Sequence, residues 1–324
     1  MEDLLVLEDV NVSYGADQVL RDVSFHVKQG RICGVVGESG SGKSTIIYAI
    51  LGILEGGRVT SGSITYNGAD LATLSREEMR ETRGGQIALI AQEPAESFHP
   101  TRTLRRQLYE VADCHRDVSR AEAERRMISY LETFGIDAPQ RVLDGYSFEL
   151  SGGMCQRASI AMAMALSPSL ILADEPTSAL DVVTQKQVVA QLADLRDESG
   201  VSVLFVSHNI GVVAGLADDV LVMYAGCIVE RGLAALVMNA PLHPYTRNLV
   251  AAVPRMDRPL ARAIKVPPAD RSLSGCPYRL GCRAACDACA DAFPMLTEAA
   301  PGHFVRCPRV AQVAEVYEKE GDAL

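Results

Sequence analysis

The apolar run Ile32-Cys33-Gly34-Val35-Val36 passes directly into Gly37-Glu38-Ser39-Gly40-Ser41-Gly42-Lys43-Ser44, and then into Thr45-Ile46-Ile47-Tyr48-Ala49-Ile50-Leu51. A strand, a glycine loop and a helix follow one another, and the loop fits G-x-x-x-x-G-K-[ST]. Such a loop turns consecutive backbone N–H groups around a phosphate, and the helix that follows adds its positive dipole end. Lys43 is then placed to reach the β and γ phosphates of a nucleotide and the Ser44 hydroxyl to take a Mg²⁺ position, with Ser39, Gly40, Ser41, Gly42 and Thr45 lining the cradle. A P-loop of this kind requires a parallel α/β core.

At 324 residues the chain suggests about two to three modules. Its 48% hydrophobic and 22% charged residues are those of a globular protein, so disorder is excluded for most of it. A net charge of -10 argues against a nucleic-acid partner, whose phosphates demand a basic surface. Met1-Glu2-Asp3-Leu4 does not open a secretory signal, and no stretch approaches the ~18 to 20 apolar residues that span a bilayer. A cytosolic chain that meets a membrane through a partner is expected.

Alternating patterns in Leu5-Val6-Leu7-Glu8-Asp9-Val10-Asn11-Val12 and Val23-Ser24-Phe25-His26-Val27 read as antiparallel strands. Gly62-Ser63-Ile64-Thr65-Tyr66-Asn67-Gly68 is a strand entering an Asn-Gly hairpin turn. Tyr14 lies in a turn, where its ring could stack on a purine or simply end a strand. Ile87-Ala88-Leu89-Ile90-Ala91 is a buried strand that leaves its sheet at Gln92-Glu93-Pro94. A helical insertion follows to about Leu166, in which Ser119 and Glu122 make a capping box and Gly135 a C-cap. Parallel-sheet logic resumes in Leu170-Ile171-Leu172-Ala173-Asp174 and in Val201-Ser202-Val203-Leu204-Phe205-Val206-Ser207, joined by a helix from about Thr184 to Glu198. Beyond about Gly232 proline and cysteine become frequent. The expected organisation is a P-loop (RecA-like) α/β core with an antiparallel β subdomain in 1–93 and 167–232, a helical subdomain in 94–166 and an extension in 233–324.

Asp174 at the edge of its strand can hold Mg²⁺ through water, while Glu175, pointing the other way, can meet an attacking water. Ser151-Gly152-Gly153 opens a long helix and builds a second anion-binding N-terminus. Taken alone, His208 after an apolar strand reads as a capping or core histidine.

Leu150-Ser151-Gly152-Gly153-Met154-Cys155-Gln156-Arg157 ahead of the Asp174-Glu175 strand, together with the P-loop, resembles the nucleotide-binding subunits of ABC transporters over roughly residues 1 to 250. The resemblance implies adenine stacking by Tyr14, γ-phosphate and Mg²⁺ sensing by Gln92, and a signature at Ser151 to Gly153. It also implies a D-loop at Ser178-Ala179-Leu180-Asp181 and a switch histidine at His208. Two subunits of this family pair head to tail around ATP, so each phosphate loop is half of a composite site. Asn209, Ala91 and Cys155 depart from the family pattern, and none of them removes a phosphate or metal ligand.

His243-Pro244-Tyr245-Thr246 and the cysteine-rich end resemble bacterial dipeptide, oligopeptide and nickel importers. This implies a second, related or identical, ATPase subunit, two permease subunits and an extracytoplasmic binding protein, with peptide as the expected cargo and nickel or a metal chelate as the alternative. A soluble ABC ATPase in DNA repair or translation is the reading from another class. The segment Gln92 to Thr103, with Phe98 as apolar anchor, is the expected permease contact. Cys276, Cys282, Cys286, Cys289 and Cys307 crowd a stretch with little apolar periodicity, which calls for a staple. Four thiolates suit Zn²⁺ or an iron–sulfur cluster, and free thiols in a surface tail are the third reading; the resemblance implies a four-iron cluster on Cys276, Cys282, Cys289 and Cys307, with Cys286 as the spare.

Overall fold

The computed structural model describes residues 2–115, 118–177, 182–253 and 274–313. Its strands are β1 (Asp3–Tyr14), β2 (Asp17–Lys28), β3 (Ile32–Gly37), β4 (Gly57–Tyr66), β5 (Ala69–Asp70), β6 (Ile87–Ile90), β7 (Leu170–Asp174), β8 (Ser202–Ser207), β9 (Asp219–Tyr224), β10 (Cys227–Leu233), β11 (Thr297–Ala300) and β12 (His303–Val305). The chain divides into two compact units.

One unit comprises residues 5–26, 33–64 and 207 onward. Every residue of β3 is buried, as a strand covered on both faces demands. It runs parallel to β9, Cys33 opposite Asp219 and Gly37 opposite Met223. β9 turns through Ala225 and Gly226, both at positive φ, into antiparallel β10. The C-terminal stretch continues this sheet: β12 pairs antiparallel with β10, Glu230 opposite Val305, and β11 with β12. A buried polar knot holds it there. Glu230 accepts the Leu242 and His243 N–H groups and pairs with His303 Nε2 at 2.7 Å. The Arg306 guanidinium, 1% exposed, donates to the Asp22 carboxylate and the Ile228 and Pro294 carbonyls. Such groups are tolerated in a core only when satisfied.

The other unit holds residues 65–206 with two short N-terminal pieces. Its parallel strands β6, β7 and β8 pair Ile87 with Leu170 and Leu170 with Ser202. The Asn67-Gly68 turn closes β4 onto β5, Tyr66 opposite Ala69. Between β6 and β7 lie helices at Pro94–Ser97, Leu104–Asp113, Arg120–Thr133, Pro139–Asp144 and Gly152–Met164. Ser119 caps the third of these by accepting the Glu122 N–H. The reciprocal half of the expected capping box is missing, because the Glu122 carboxylate turns instead to Arg125 and Arg126. Gly135, at φ 75, closes the helix with N–H to Glu132 O while Ile136 N–H reaches Leu131 O, the paired bonding that favours glycine at this position. A second Ser-x-x-Glu, Ser75 to Glu78, does form the complete capping box.

Candidate nucleotide site

The phosphate loop leaves β3 at Gly37 and enters the helix Lys43–Leu51 through Gly42, whose φ of 101 no side chain adopts comfortably. A Cβ there would also press on Leu20 Cδ2 at 2.7 Å. Lys43, 5% exposed, donates from Nζ to the Gly37 and Glu38 carbonyls at 2.9 Å each. Its ammonium is thereby folded across the loop. Ser41 is 2% exposed, and its Oγ is buried with no partner among the described residues. A buried hydroxyl left without a partner in a glycine loop that also carries Lys43 fits a phosphate oxygen, which would satisfy it. Ser39 and Gly40 stand exposed at the tip, and Ser44 and Thr45 are half-buried at the helix start.

The loop is fastened by residues that no motif singles out. Gly226, in the β9–β10 turn, donates its N–H to the Ser41 carbonyl at 3.0 Å and accepts the Arg21 N–H. Glu38 N–H donates to the Tyr245 hydroxyl at 3.1 Å. Burial pushes the Glu38 carboxyl above its usual range, partly offset by the Lys43 charge. Tyr14 ends β1 with its ring laid against Gly57, where a Cβ would come within 2.7 Å of Cε1. The signal for Gly226 is an Ala-Gly pair between two apolar runs, weaker than Asn-Gly because alanine resists φ > 0.

In the other unit β7 ends at buried Asp174, and Glu175 follows in the left-handed region at φ 45, its N–H bonded to Val206 O. A non-glycine residue held there is costly, and such positions cluster at functional sites. Gln92 is exposed just after β6. Ser151 caps the helix Gly152–Met164 by accepting the Met154 N–H. Its first turn opens outward, since a Cβ on Gly152 would meet nothing within 4 Å. Cys155 is buried, with its thiol pushed up to about 11 by burial, so this departure from the family pattern is a packing residue. His208 is exposed after β8. Asn209 caps the helix Ile210–Leu216 by accepting the Gly211 and Val212 N–H groups. An Asn performs this as an Asp would. Asp181 and the other D-loop positions lie outside the described residues.

Phe98 is 7% exposed and is therefore not a surface anchor. It lines a groove of ≈ 240 Å³ with Ser97, Gln107, Val111, Met162 and Leu166. The Gln107 side chain accepts the His99 N–H and donates to the Arg102 carbonyl, which holds this segment in shape.

All nine cysteines are free. Burial pushes Cys276 up to about 11 and Cys282 up to about 12, partly offset by backbone hydrogen bonds from Tyr278 and Ala284. Cys276 N–H bonds to Cys289 O at 2.7 Å. The Cys286 and Cys289 sulfurs lie 3.8 Å apart, yet among the described residues no group of three or more His, Cys, Asp or Glu side chains is arranged to hold a metal ion. The ligand set expected on Cys276, Cys282, Cys289 and Cys307 is not met by this structure, in which Cys282 and Cys307 pack instead against the small apolar cluster of Ala284 and Val313.

A buried strand, a fastened glycine loop and a lysine folded over it define a P-loop nucleotide-binding protein. The ABC transporter family profile matches residues 20–178, and that of the oligopeptide/dipeptide transporter C-terminal region matches residues 229–289. A probable peptide ABC transporter ATP-binding protein of Sinorhizobium fredii is 42% identical over 94% of this chain and 93% of its own. A dipeptide transport ATP-binding protein of Bacillus subtilis is 37% identical over 100% of this chain and 99% of its own. Among solved structures, an ATP-binding cassette dimer in a post-hydrolysis state with ADP and Pi is 26% identical at a TM-score of 0.61, covering 71% of this chain and 98% of that one. The chain belongs to the ABC transporter family of ATPases.

Proposed function

We propose that this chain is the ATP-binding and hydrolysing subunit of an importer for dipeptides or oligopeptides, acting at the cytoplasmic face of the membrane. One observation carries the reading: a single chain holds both a built phosphate loop and a separate, outward-facing helix N-terminus at Ser151. Two such anion sites in one chain suit a head-to-tail pair, in which each ATP is closed between the P-loop of one subunit and Ser151, Gly152 and Gly153 of the other. Relatives named for peptides favour that cargo over nickel.

Within the site, Lys43 and the loop amides bind the phosphates, Tyr14 stacks on adenine, and Ser44, Gln92 and Asp174 hold Mg²⁺. Bound Mg²⁺ supplies charge neutralisation at the β and γ phosphates. Glu175 orients and deprotonates the attacking water, His208 contacts the γ-phosphate, and Asp181 links the two subunits. Residues 1–93 and 167–232 serve nucleotide binding, 94–166 the signature and permease contact, and 233–324 the tail. The groove beside Phe98 suits a short apolar permease helix, because its wall is apolar and its rim is pinned by Gln107.

No helix among the described residues is long and apolar enough to cross a membrane, so the proposed translocation path belongs to permease partners. The test is copurification from membranes. Two permease subunits recovered with the full chain, and peptide uptake lost when its gene is deleted, are expected; recovery with nucleic acid or ribosomes instead contradicts the reading. For the tail, a narrower proposal is a four-iron cluster, with Zn²⁺ as the alternative; it rests on the crowding of five cysteines into one short stretch and requires Cys282 and Cys307 to leave the apolar cluster they pack against. Anaerobic purification with metal and sulfide analysis decides it, and the absence of both metals removes it.

A further inference from the structure

Phosphate-loop function does not by itself account for the His243-Pro244-Tyr245-Thr246 stretch, yet the structure brings it to the loop. Its helix, Pro244–Ala251, is capped by His243, which accepts the Tyr245 N–H through Nδ1. The His243 N–H is in turn held by buried Glu230. Proline at the first helical position sets the entry angle. Tyr245 is consequently fixed at its backbone and is 0% exposed.

Its ring sits among two others. Tyr224, the last residue of β9, lies 4.8 Å away between centroids, and Tyr278, from the cysteine-bearing tail, lies 5.4 Å away. Tyr278 meets Tyr224 edge-on at 5.2 Å and accepts a hydrogen bond from Asn248 Nδ2 at 2.6 Å. These tilted and edge-to-face contacts are the favourable ones for aromatic rings. A phenol placed so rigidly points its oxygen at a single backbone group of the phosphate loop, the Glu38 N–H, at 3.1 Å.

We propose that Tyr245 is a positioning residue for ATP binding: its hydroxyl anchors the Glu38 end of the phosphate loop while Gly226 anchors the Ser41 end. The inference rests on the reading of this loop as the ATP site. Between the two anchors lie Ser39 and Gly40, the exposed residues that must wrap the phosphates. An anchored loop is already in the shape that binds, whereas a loose one must be selected from alternatives, and apparent affinity falls with the populated fraction. The bond at stake is one neutral hydrogen bond, whose loss changes an equilibrium about three- to tenfold.

The test uses the full chain carrying Glu175→Gln, so that ATP is bound but not consumed, and compares Tyr245→Phe with Tyr278→Phe. Both retain the ring and lose a buried hydroxyl, but only the first touches the loop. Tyr245→Phe is expected to raise the ATP dissociation constant about three- to tenfold and to speed amide exchange at residues 38–41. In the hydrolysing chain it should raise KM with kcat little changed. Tyr278→Phe is expected to leave ATP affinity within about twofold. Unchanged affinity in Tyr245→Phe, or an equal loss in both variants, overturns the proposal. Lys43→Ala, measured alongside, separates the two levels: if it too leaves ATP affinity unchanged, the loop is not the ATP site and the failure belongs to that reading.

Discussion

Replacing Gly226 by alanine tests the claim that the β9–β10 turn holds the phosphate loop. Gly226 has φ 86, and an alanine held in the left-handed region costs about 1 to 2 kcal/mol. Reduced freedom of the unfolded chain offsets ~0.4 to 1 kcal/mol of that. Steric crowding adds more. A Cβ at this position would fall inside the contact distance of the Val19 carbonyl oxygen, with Leu20 Cα behind it at 3.7 Å. Backbone cannot rotate away as a side chain can, and forced shifts of this kind cost ~1 to 3 kcal/mol. Moving the turn also strains the Gly226 N–H bond to Ser41 O and the Arg21 N–H bond to Gly226 O, each worth ~0.5 to 1.5 kcal/mol. A loss of about 3 kcal/mol follows.

Gly56 supplies the control in the same unit, with φ 73 and nothing within 4 Å of an added Cβ. Gly56→Ala should cost about 1 kcal/mol. The chain has no tryptophan, so urea unfolding is best followed by far-ultraviolet circular dichroism, with ATP affinity measured in parallel. Gly226→Ala should unfold at clearly lower urea and bind ATP more weakly, while Gly56→Ala does neither to the same degree. Equal shifts for the two variants would show that backbone strain alone matters and that the turn does not hold the loop.

Lys43→Ala should weaken ATP binding at least tenfold, since a charge-assisted contact worth about 1.5 to 3 kcal/mol is removed; unchanged affinity in an equilibrium binding assay would count against the assignment. Cys155 and Cys227, pushed up by burial to about 11 and about 12, hold almost no thiolate near neutral pH. Maleimide at about pH 7.5 should therefore label exposed Cys114 and spare these two in the folded chain, and labelling of all three alike would contradict their burial. Cysteines introduced at Ser97 and Val111, on the groove beside Phe98, should crosslink to a permease in membranes; crosslinks formed only from other faces would displace the proposed contact.

Much of the site is legible in the sequence alone, because a phosphate loop is specified by local glycine and lysine spacing. Lys43 opens its helix, Asp174 ends its strand, and the Asn67-Gly68 hairpin closes as its dipeptide requires. What the sequence hides is non-local. Tyr245 lies 207 residues from Glu38, and no periodicity announces a hydroxyl aimed at a distant amide. Prolines flanking Phe98 signal a surface loop, whereas β6 and the helices 104–113 and 152–164 supply much of the wall of the groove it lines. Frequent proline and a cluster of cysteines give the tail the look of a separate extension. Short β11 and β12, the second stabilised through Arg306 and His303, nevertheless continue the sheet of β10. Two buried polar residues in a cysteine-rich stretch carry no pattern that sequence reasoning can weigh.

The central claim is that this chain binds ATP at the Lys43 loop and hydrolyses it with Glu175, and the Glu175→Gln variant tests it most directly. Steady-state hydrolysis by the assembled transporter should fall by ~10² to 10⁴, the usual effect of losing a general base, while ATP binding to the chain stays within about twofold of the wild type, because the phosphate cradle is untouched. A variant that retains more than about a third of wild-type turnover, with binding intact, would contradict the account.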